Sequence, residues 1–168
     1  VGDAFLYDFN FELITDEKVL AEHSLAIGLR EIEVVNQADD MGESFYFKVN
    51  GHPVFMKGAN YIPDDSFIHR VTAERHQQLF DGVVAGNMNM LRVWGGGIYQ
   101  DDKFYELADR NGILIWQDFM FACTLYPANE AFLHNVKQEA EYNVKRLRNH
   151  PCIAMWCGNN EVDMAIEK

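Results

Sequence analysis

From residue 53 onward the chain repeats one theme: a short apolar run, then a stretch with helical periodicity. The runs are Pro53–Met56 continuing through Lys57-Gly58-Ala59-Asn60, then Met90–Val93, Ile113–Trp116 and Ile153–Trp156. Thr72 is placed to cap a first helix, with Glu74 in its opening turn. Leu79, Phe80, Val83 and Val84 recur at helical spacing, and Gly86-Asn87 stops the run. Asp101 opens a second helix, with Phe104, Leu107 and Ala108 on one face and Asn111-Gly112 as its stop. A third runs from about Glu130 to Arg148, with Leu133, Val136, Ala140, Val144 and Leu147 expected inward, and Asn149-His150-Pro151 breaks it. Apolar runs without polar alternation suit parallel strands covered on both faces. The order β-α-β-α-β-α-β then means an α/β fold, either a (β/α)8 barrel or a doubly wound sheet. A dinucleotide-binding sheet would carry GxGxxG in its first turn. Gly95-Gly96-Gly97 follows the second strand and lacks that spacing, so this option is rejected. Those glycines are expected to let backbone approach a sugar or a neighbouring strand.

In an α/β barrel the chemistry sits just past the C-terminal ends of the strands. Here those ends carry Asn60, Arg92 with Trp94, Asp118, and Asn160 with Glu161. Glu161 follows the apolar run Ile153–Trp156 after only Cys157-Gly158-Asn159-Asn160, and it is the first candidate for a catalytic group. The plain alternative is that it favours the start of the next helix, where a carboxylate meets the positive end of the helix dipole. Asn60 and Asp118 are candidates for binding substrate, and for both the plain alternative is a hydrogen-bonded loop residue. Trp94, beside flexible glycine backbone, offers a flat apolar surface for the C–H face of a pyranose. Trp116 and Trp156 lie inside strand runs and are expected in the core.

The earlier part of the chain reads as β. Phe5–Ile14 alternates partly, with Tyr7, Phe9, Phe11 and Leu13 on one face. Asp16-Glu17 makes a turn, and Val19–Ile27 and Ile32–Val35 follow as strands. Short strands at this spacing suggest a sandwich. Three cannot cover a sandwich core, so further strands are expected upstream. The polar stretch Asn36–Gly42 is the expected boundary. Phe45–Val49 and Pro53–Met56 flank Asn50-Gly51, the strongest short hairpin signal.

Charge and composition narrow the classes of function. A net charge of -12 argues against nucleic acid, whose phosphates demand a basic face. No apolar run approaches the roughly 20 residues needed to span a bilayer. The three cysteines (Cys123, Cys152, Cys157) are odd in number, and Cys152 and Cys157 are five apart across a strand, which points them to opposite faces. No HExxH occurs, and no His is spaced with Cys as a metal site would need, so no metal and no cofactor are expected. The chain starts within a strand pattern and stops within a helix pattern, which reads as a piece of a larger protein. Its compartment cannot be read from such a start.

The segments KGANYIP (57–63), NMLRVWGGGIYQDDKFYELAD (89–109), GILIWQDFMFACTLYP (112–127) and RLRNHPCIAMWCGNNE (146–161) resemble the β-mannosidases of glycoside hydrolase family 2. VNGHPVFMKGAN (49–60) is similar throughout that family; RVWGGG and WCGNNE resemble its mannosidase branch. The resemblance implies that residues 1 to about 40 end an immunoglobulin-like sandwich. Residues 44–168 then form the first half, strands one to four, of a (β/α)8 barrel. It implies that Glu161 is the general acid/base, that Asn160 contacts the sugar 2-hydroxyl, and that Trp94 lines the terminal mannose subsite. Arg92 would orient the nucleophile, a second Glu beyond residue 168. Tyr61 and Asp64 stand where the family often has Trp and Ala, which touches only fine contacts near the first strand.

The reaction so implied is retaining hydrolysis of terminal β-mannose, for which the chain supplies the acid/base and not the nucleophile. The 168 residues alone are then expected to be inactive. The partners are a β-mannoside oligosaccharide or glycan and the rest of the parent chain, with neither nucleic acid nor membrane. Two alternatives stand beside it: a sister glycosidase (β-galactosidase, β-glucuronidase or exo-β-glucosaminidase), or a non-catalytic carbohydrate-binding module.

Overall fold

The computed structural model describes residues 4–166. The outermost residues of the two expected domains, Val1–Asp3 and Glu167–Lys168, lie outside the described residues.

Tyr7–Thr15 (β1) and Lys18–Ile27 (β2) form an antiparallel hairpin. Its turn residues Asp16 and Glu17 have φ of 44° and 64°, the left-handed pair that a two-residue turn between twisted strands requires. Every residue of β1 is exposed, including the expected stripe Tyr7, Phe9, Phe11 and Leu13.

Ile32–Val35 (β3) is followed by a minimal ladder of Ala38–Asp39 (β4) and Gly42–Glu43 (β5), which occupies the expected link. Tyr46–Val49 (β6) and His52–Val54 (β7) make the Asn50-Gly51 hairpin. β3 pairs antiparallel with β6 across the link, giving a sheet in the order β3-β6-β7.

The remaining four strands are Gly58–Tyr61 (β8), Met90–Val93 (β9), Leu114–Asp118 (β10) and Ile153–Cys157 (β11). They form one sheet in sequence order, and each neighbouring pair is parallel. The run expected to continue from Pro53 through Asn60 is two strands in two sheets. At Gly58 a Cβ would sit 1.8 Å from the Met90 carbonyl oxygen, so only glycine lets β8 start against β9. The β10–β11 register slips once: Ile115 faces Ile153, but Trp116 faces Met155. Ala154 is the extra residue.

The connections are Ala73–Ala85 (α1), Asp102–Asn111 (α2) and Glu130–Leu147 (α3), and Val162–Ile166 (α4) follows β11. Thr72, Asp101 and Asn129 each accept a hydrogen bond from the backbone N–H three residues on, satisfying a donor that the helix itself cannot. Gly112 closes α2 at φ 65°. We expect Asp101→Ala to cost about 1–2 kcal/mol, read as a lower urea midpoint. Asp101 both caps Phe104 N at 3.0 Å and lies 3.4 Å from the buried His76 imidazole. Thr72→Ala should cost less, because its cap bond is 3.4 Å long.

The core lies between the sheet and its helices. Tyr61, Leu91, Val93, Ile115 and Ile153 meet Phe80, Val83, Phe104, Tyr105, Leu107 and Leu147 there. Leu133, expected inward, is 53% exposed, and Val84 at the end of α1 is 50% exposed. On α3 the buried face runs through Asn143 and Leu147, with Phe132 and Val136 partly covered. Val136, Ala140, Val144 and Leu147 thus lie on the covered face as apolar spacing suggests, and Phe132 takes the place expected of Leu133.

Candidate active site

Side chains alternate along a strand, so one face of the sheet is the core and the other is open. Residues paired across a parallel ladder share a face. Asn60, Arg92 and Trp116 are paired in that way, and Asp118, two residues beyond Trp116, shares their side. This is the face turned away from the helix core.

Arg92 is the centre of the open face. Its Nε donates to Asp118 Oδ1 at 3.1 Å and its Nη2 to Asp118 Oδ2 at 2.7 Å. The same Nη2 donates to Asn160 Oδ1 at 2.9 Å. Asp118 is fully buried. It also accepts the Gly95 N–H at 3.0 Å, so an otherwise costly buried charge is met by a forked cation and a backbone donor. The guanidinium carbon lies 5.4 Å from the centre of the Trp116 ring, within reach of a cation–π attraction, and Phe45 flanks Trp116 at 5.9 Å. Trp116 was expected in the core. The register puts it on the open face instead, with its Nε1 buried and without a partner among the described residues. Trp156 does pack against the helix-side core and stacks on Phe119 at 5.3 Å.

Two loops meet above this pair. The loop after β10 and the loop after β11 are joined by Asn160 N donating to Phe121 O at 2.8 Å and by Cys123 N donating to Asn160 O at 2.9 Å. Tyr126 braces the first loop: its hydroxyl accepts from Ala122 N at 2.8 Å, and its ring meets Phe121 edge-on at 4.9 Å. Asn160 Nδ2 donates to Cys123 Sγ at 3.3 Å, and Cys123 Sγ–H donates to Glu161 Oε2 at 3.5 Å. Glu161 is exposed, at the rim of a hollow lined by Cys123, Thr124, Leu125, Met164 and Ala165. Both Cys123 and Glu161 have φ of 56°, a conformation that non-glycine residues hold only when the surroundings fix it.

Of the six residues singled out, Arg92, Asp118 and Asn160 form one hydrogen-bonded unit, and Glu161 adjoins it through Cys123. Asn60 shares their face but, among the described residues, has no side-chain hydrogen bond to them. Trp94 lies over Gly96, where an added Cβ would fall 1.9 Å from the indole ring. Gly95 is equally constrained, its Cβ position lying 2.6 Å from Phe119 O. The glycine run therefore admits both a ring and a neighbouring backbone. Cys123 and Trp116 belong to this site and were not singled out. Counting back two from Asp118 was the signal for Trp116, but no pattern in the sequence pointed to Cys123. Tyr61 turns the other way. Its ring lies tilted against Phe104 at 4.9 Å within the core, and burial pushes its phenol above the ordinary tyrosine range. Asp64 lies 3.5 Å from Arg75.

The opposite end of the sheet holds a cavity of about 260 Å³ among residues that include Leu6, Arg30, Asn89, Asp109 and Cys152. Beside it Asp109, His150 and Cys152 offer three metal-type donors within 4.8 Å of one another, a grouping that the spacing of His and Cys had not suggested. Asp109 is already committed: one oxygen accepts from Cys152 N at 2.9 Å, and the other lies 2.6 Å from His150 Nδ1. The Arg30 guanidinium stands close by, donating to Pro151 O and Ile153 O. A carboxylate that ties α2 to the loop between α3 and β11, beside a fixed cation, is a structural hub.

No family model matches the chain. A curated β-mannosidase of Capra hircus is 49% identical over 167 residues, 98% of this chain and 19% of the relative. A crystal structure of β-D-mannosidase from Dictyoglomus thermophilum superposes with a TM-score of 0.92 at 50% identity, covering 95% of this chain and 20% of that one. β-Glucuronidase 2 of Bacteroides uniformis shares the fold, with a TM-score of 0.82, at 22% identity over 98% of this chain and 19% of that one. The chain thus spans about one fifth of the length of the relatives it matches. Sequence and fold together put these 168 residues among the β-mannosidases of glycoside hydrolase family 2, as a segment of that length.

Proposed function

We propose that this chain is the acid/base-bearing segment of a longer enzyme that removes terminal β-linked mannose with retention of configuration. The observation that carries the reading is the unit of Arg92, Asp118 and Asn160 at the C-terminal ends of parallel strands, with Glu161 beside it. In this reading β8 to β11 are the first four strands of an eight-stranded barrel, whose chemistry gathers at that end. Residues up to about 40 are the last strands of an immunoglobulin-like sandwich, and 44–168 are the barrel half.

A retaining glycosidase needs two carboxyls about 5–5.5 Å apart, one protonated and one ionised. Glu161, exposed at the loop rim, is the one that meets the leaving oxygen. Asp118 is buried and held at both oxygens, so it does not serve as the second. That nucleophile comes from outside the chain, and Arg92 Nη1, which has no partner among the described residues, is placed to hold it ionised. Asn160, fixed by Arg92 and Cys123, presents its amide to the sugar 2-hydroxyl. Trp94 and Asn60 complete the subsite wall. Without the nucleophile the 168 residues alone turn over no glycoside.

The test is turnover by the full-length protein of aryl β-mannoside against aryl β-galactoside, β-glucuronide and β-glucosaminide. We expect the mannoside to be preferred roughly tenfold or more in kcat/KM. Preference for another sugar assigns a sister specificity. No turnover with any of them, alongside binding, assigns a carbohydrate-binding module.

A further inference from the structure

We infer that Cys123 is the positioning residue of the acid/base, a thiol that holds Glu161 in both of its protonation states; this rests on the reading of Glu161 given above. The geometry is a three-member chain: Asn160 Nδ2 to Cys123 Sγ at 3.3 Å, then Cys123 Sγ to Glu161 Oε2 at 3.5 Å. Cys123 is delivered there by the two backbone bonds that join its loop to Asn160 and by the Tyr126 brace. Both Cys123 and Glu161 sit at φ 56°. Left-handed backbone at two adjoining non-glycine residues persists where the surrounding structure enforces it.

The chemistry suits a group that must gain and lose a proton in each turnover. A thiol is a weak donor and a weak acceptor. When Glu161 is ionised, Sγ–H donates to Oε2. When Glu161 is protonated, its O–H turns to the sulfur, which also takes the Asn160 amide. The carboxyl therefore keeps one position through both half-reactions, and neither proton state is strongly favoured. An Arg or Lys in the same place would hold the glutamate ionised and unable to donate. The amide that reads the 2-hydroxyl and the carboxyl that serves the leaving group are also tied to one sulfur atom, so their spacing is fixed.

The test uses the full-length enzyme with Cys123→Ala and Cys123→Ser. Loss of the thiol leaves the carboxyl unheld in either proton state, so Cys123→Ala weakens its delivery of a proton to the leaving group. The rate on a β-mannoside with a poor leaving group falls about threefold to tenfold, the size of one modest hydrogen bond. The glycosylation step with a dinitrophenyl mannoside is unchanged, since that group departs without a proton. Cys123→Ser, whose hydroxyl also donates and accepts, restores the rate. The inference is overturned if Cys123→Ala leaves the rate on the poor leaving group unchanged, or if it slows good and poor leaving groups alike. It is equally overturned if Cys123→Ser fails to restore that rate while folding with an unchanged melting temperature. Glu161→Ala is assayed in parallel. If that variant treats all leaving groups equally, the acid/base reading itself has failed. If it discriminates among them and Cys123→Ala does not, only the role of the thiol has failed.

Discussion

Glu161→Ala in the full-length enzyme is expected to lose 10²–10⁴-fold in rate on an alkyl or disaccharide β-mannoside, the usual worth of general acid catalysis. The loss should track how badly the leaving group needs a proton. Dinitrophenolate needs none, so the first step with that substrate stays fast. The second step still wants a base to activate water, so the glycosyl-enzyme accumulates and appears as a burst followed by slow turnover. Azide should then restore turnover, because a small anion enters the space that the carboxylate vacates and needs no deprotonation. It attacks the face that Glu161 served, so the product is the β-azide. An α-azide would assign Glu161 as the nucleophile. Equal slowing of all substrates, with no effect of azide, would make Glu161 a loop residue held by Cys123 and nothing more.

The second large effect is on folding. Asp118→Ala strands the Arg92 guanidinium, whose side chain is only 24% exposed, and leaves the Gly95 N–H unpaired. Removing one partner of a buried pair costs about 3–5 kcal/mol. The lower end is expected here, because Arg92 keeps some contact with water. Differential scanning calorimetry should register it as a fall in the melting temperature of the transition that contains this sheet. The double variant Arg92→Ala/Asp118→Ala should recover part of the loss, since no charge is then left without its partner. A melting temperature unchanged in Asp118→Ala would mean that the pair contributes nothing to stability.

The helices and most strands were legible because each rests on short-range chemistry. Thr72, Asp101 and Gly112 act on the nearest few amides, and Phe80, Phe104 and Leu107 follow from spacing alone. What escaped depends on neighbours far along the chain. The division of Pro53–Asn60 into two strands turns on Gly58 meeting the Met90 carbonyl. The open-face position of Trp116 turns on its pairing with Arg92. Spacing puts Leu133 inward with Val136, Ala140, Val144 and Leu147, yet at the start of α3 Phe132 is the covered residue and Leu133 is exposed. At the candidate site, strand-end logic picked out Arg92, Asp118, Asn160 and Glu161, and the structure joins the first three directly. Cys123 was invisible because it reaches Glu161 across 38 residues of sequence, through a contact between loops that no local pattern encodes. The Asp109–His150–Cys152 hub escaped for the same reason.

The slipped register at Ala154 has a consequence for how this strand can change. Side chains in a strand have parity, and one extra residue inverts it. Ile153 faces the helices and so does Trp156, three positions on. An unbroken strand would send them to opposite sides. Ala154 is the inversion that lets the apolar start of β11 and its apolar end both enter the same core, while Met155 joins Trp116 on the open side. Substitutions along β11 act one side chain at a time. A single-residue insertion or deletion there exchanges the two faces of everything downstream, up to the loop that carries Asn160 and Glu161. The strand can therefore drift in composition far more readily than in length.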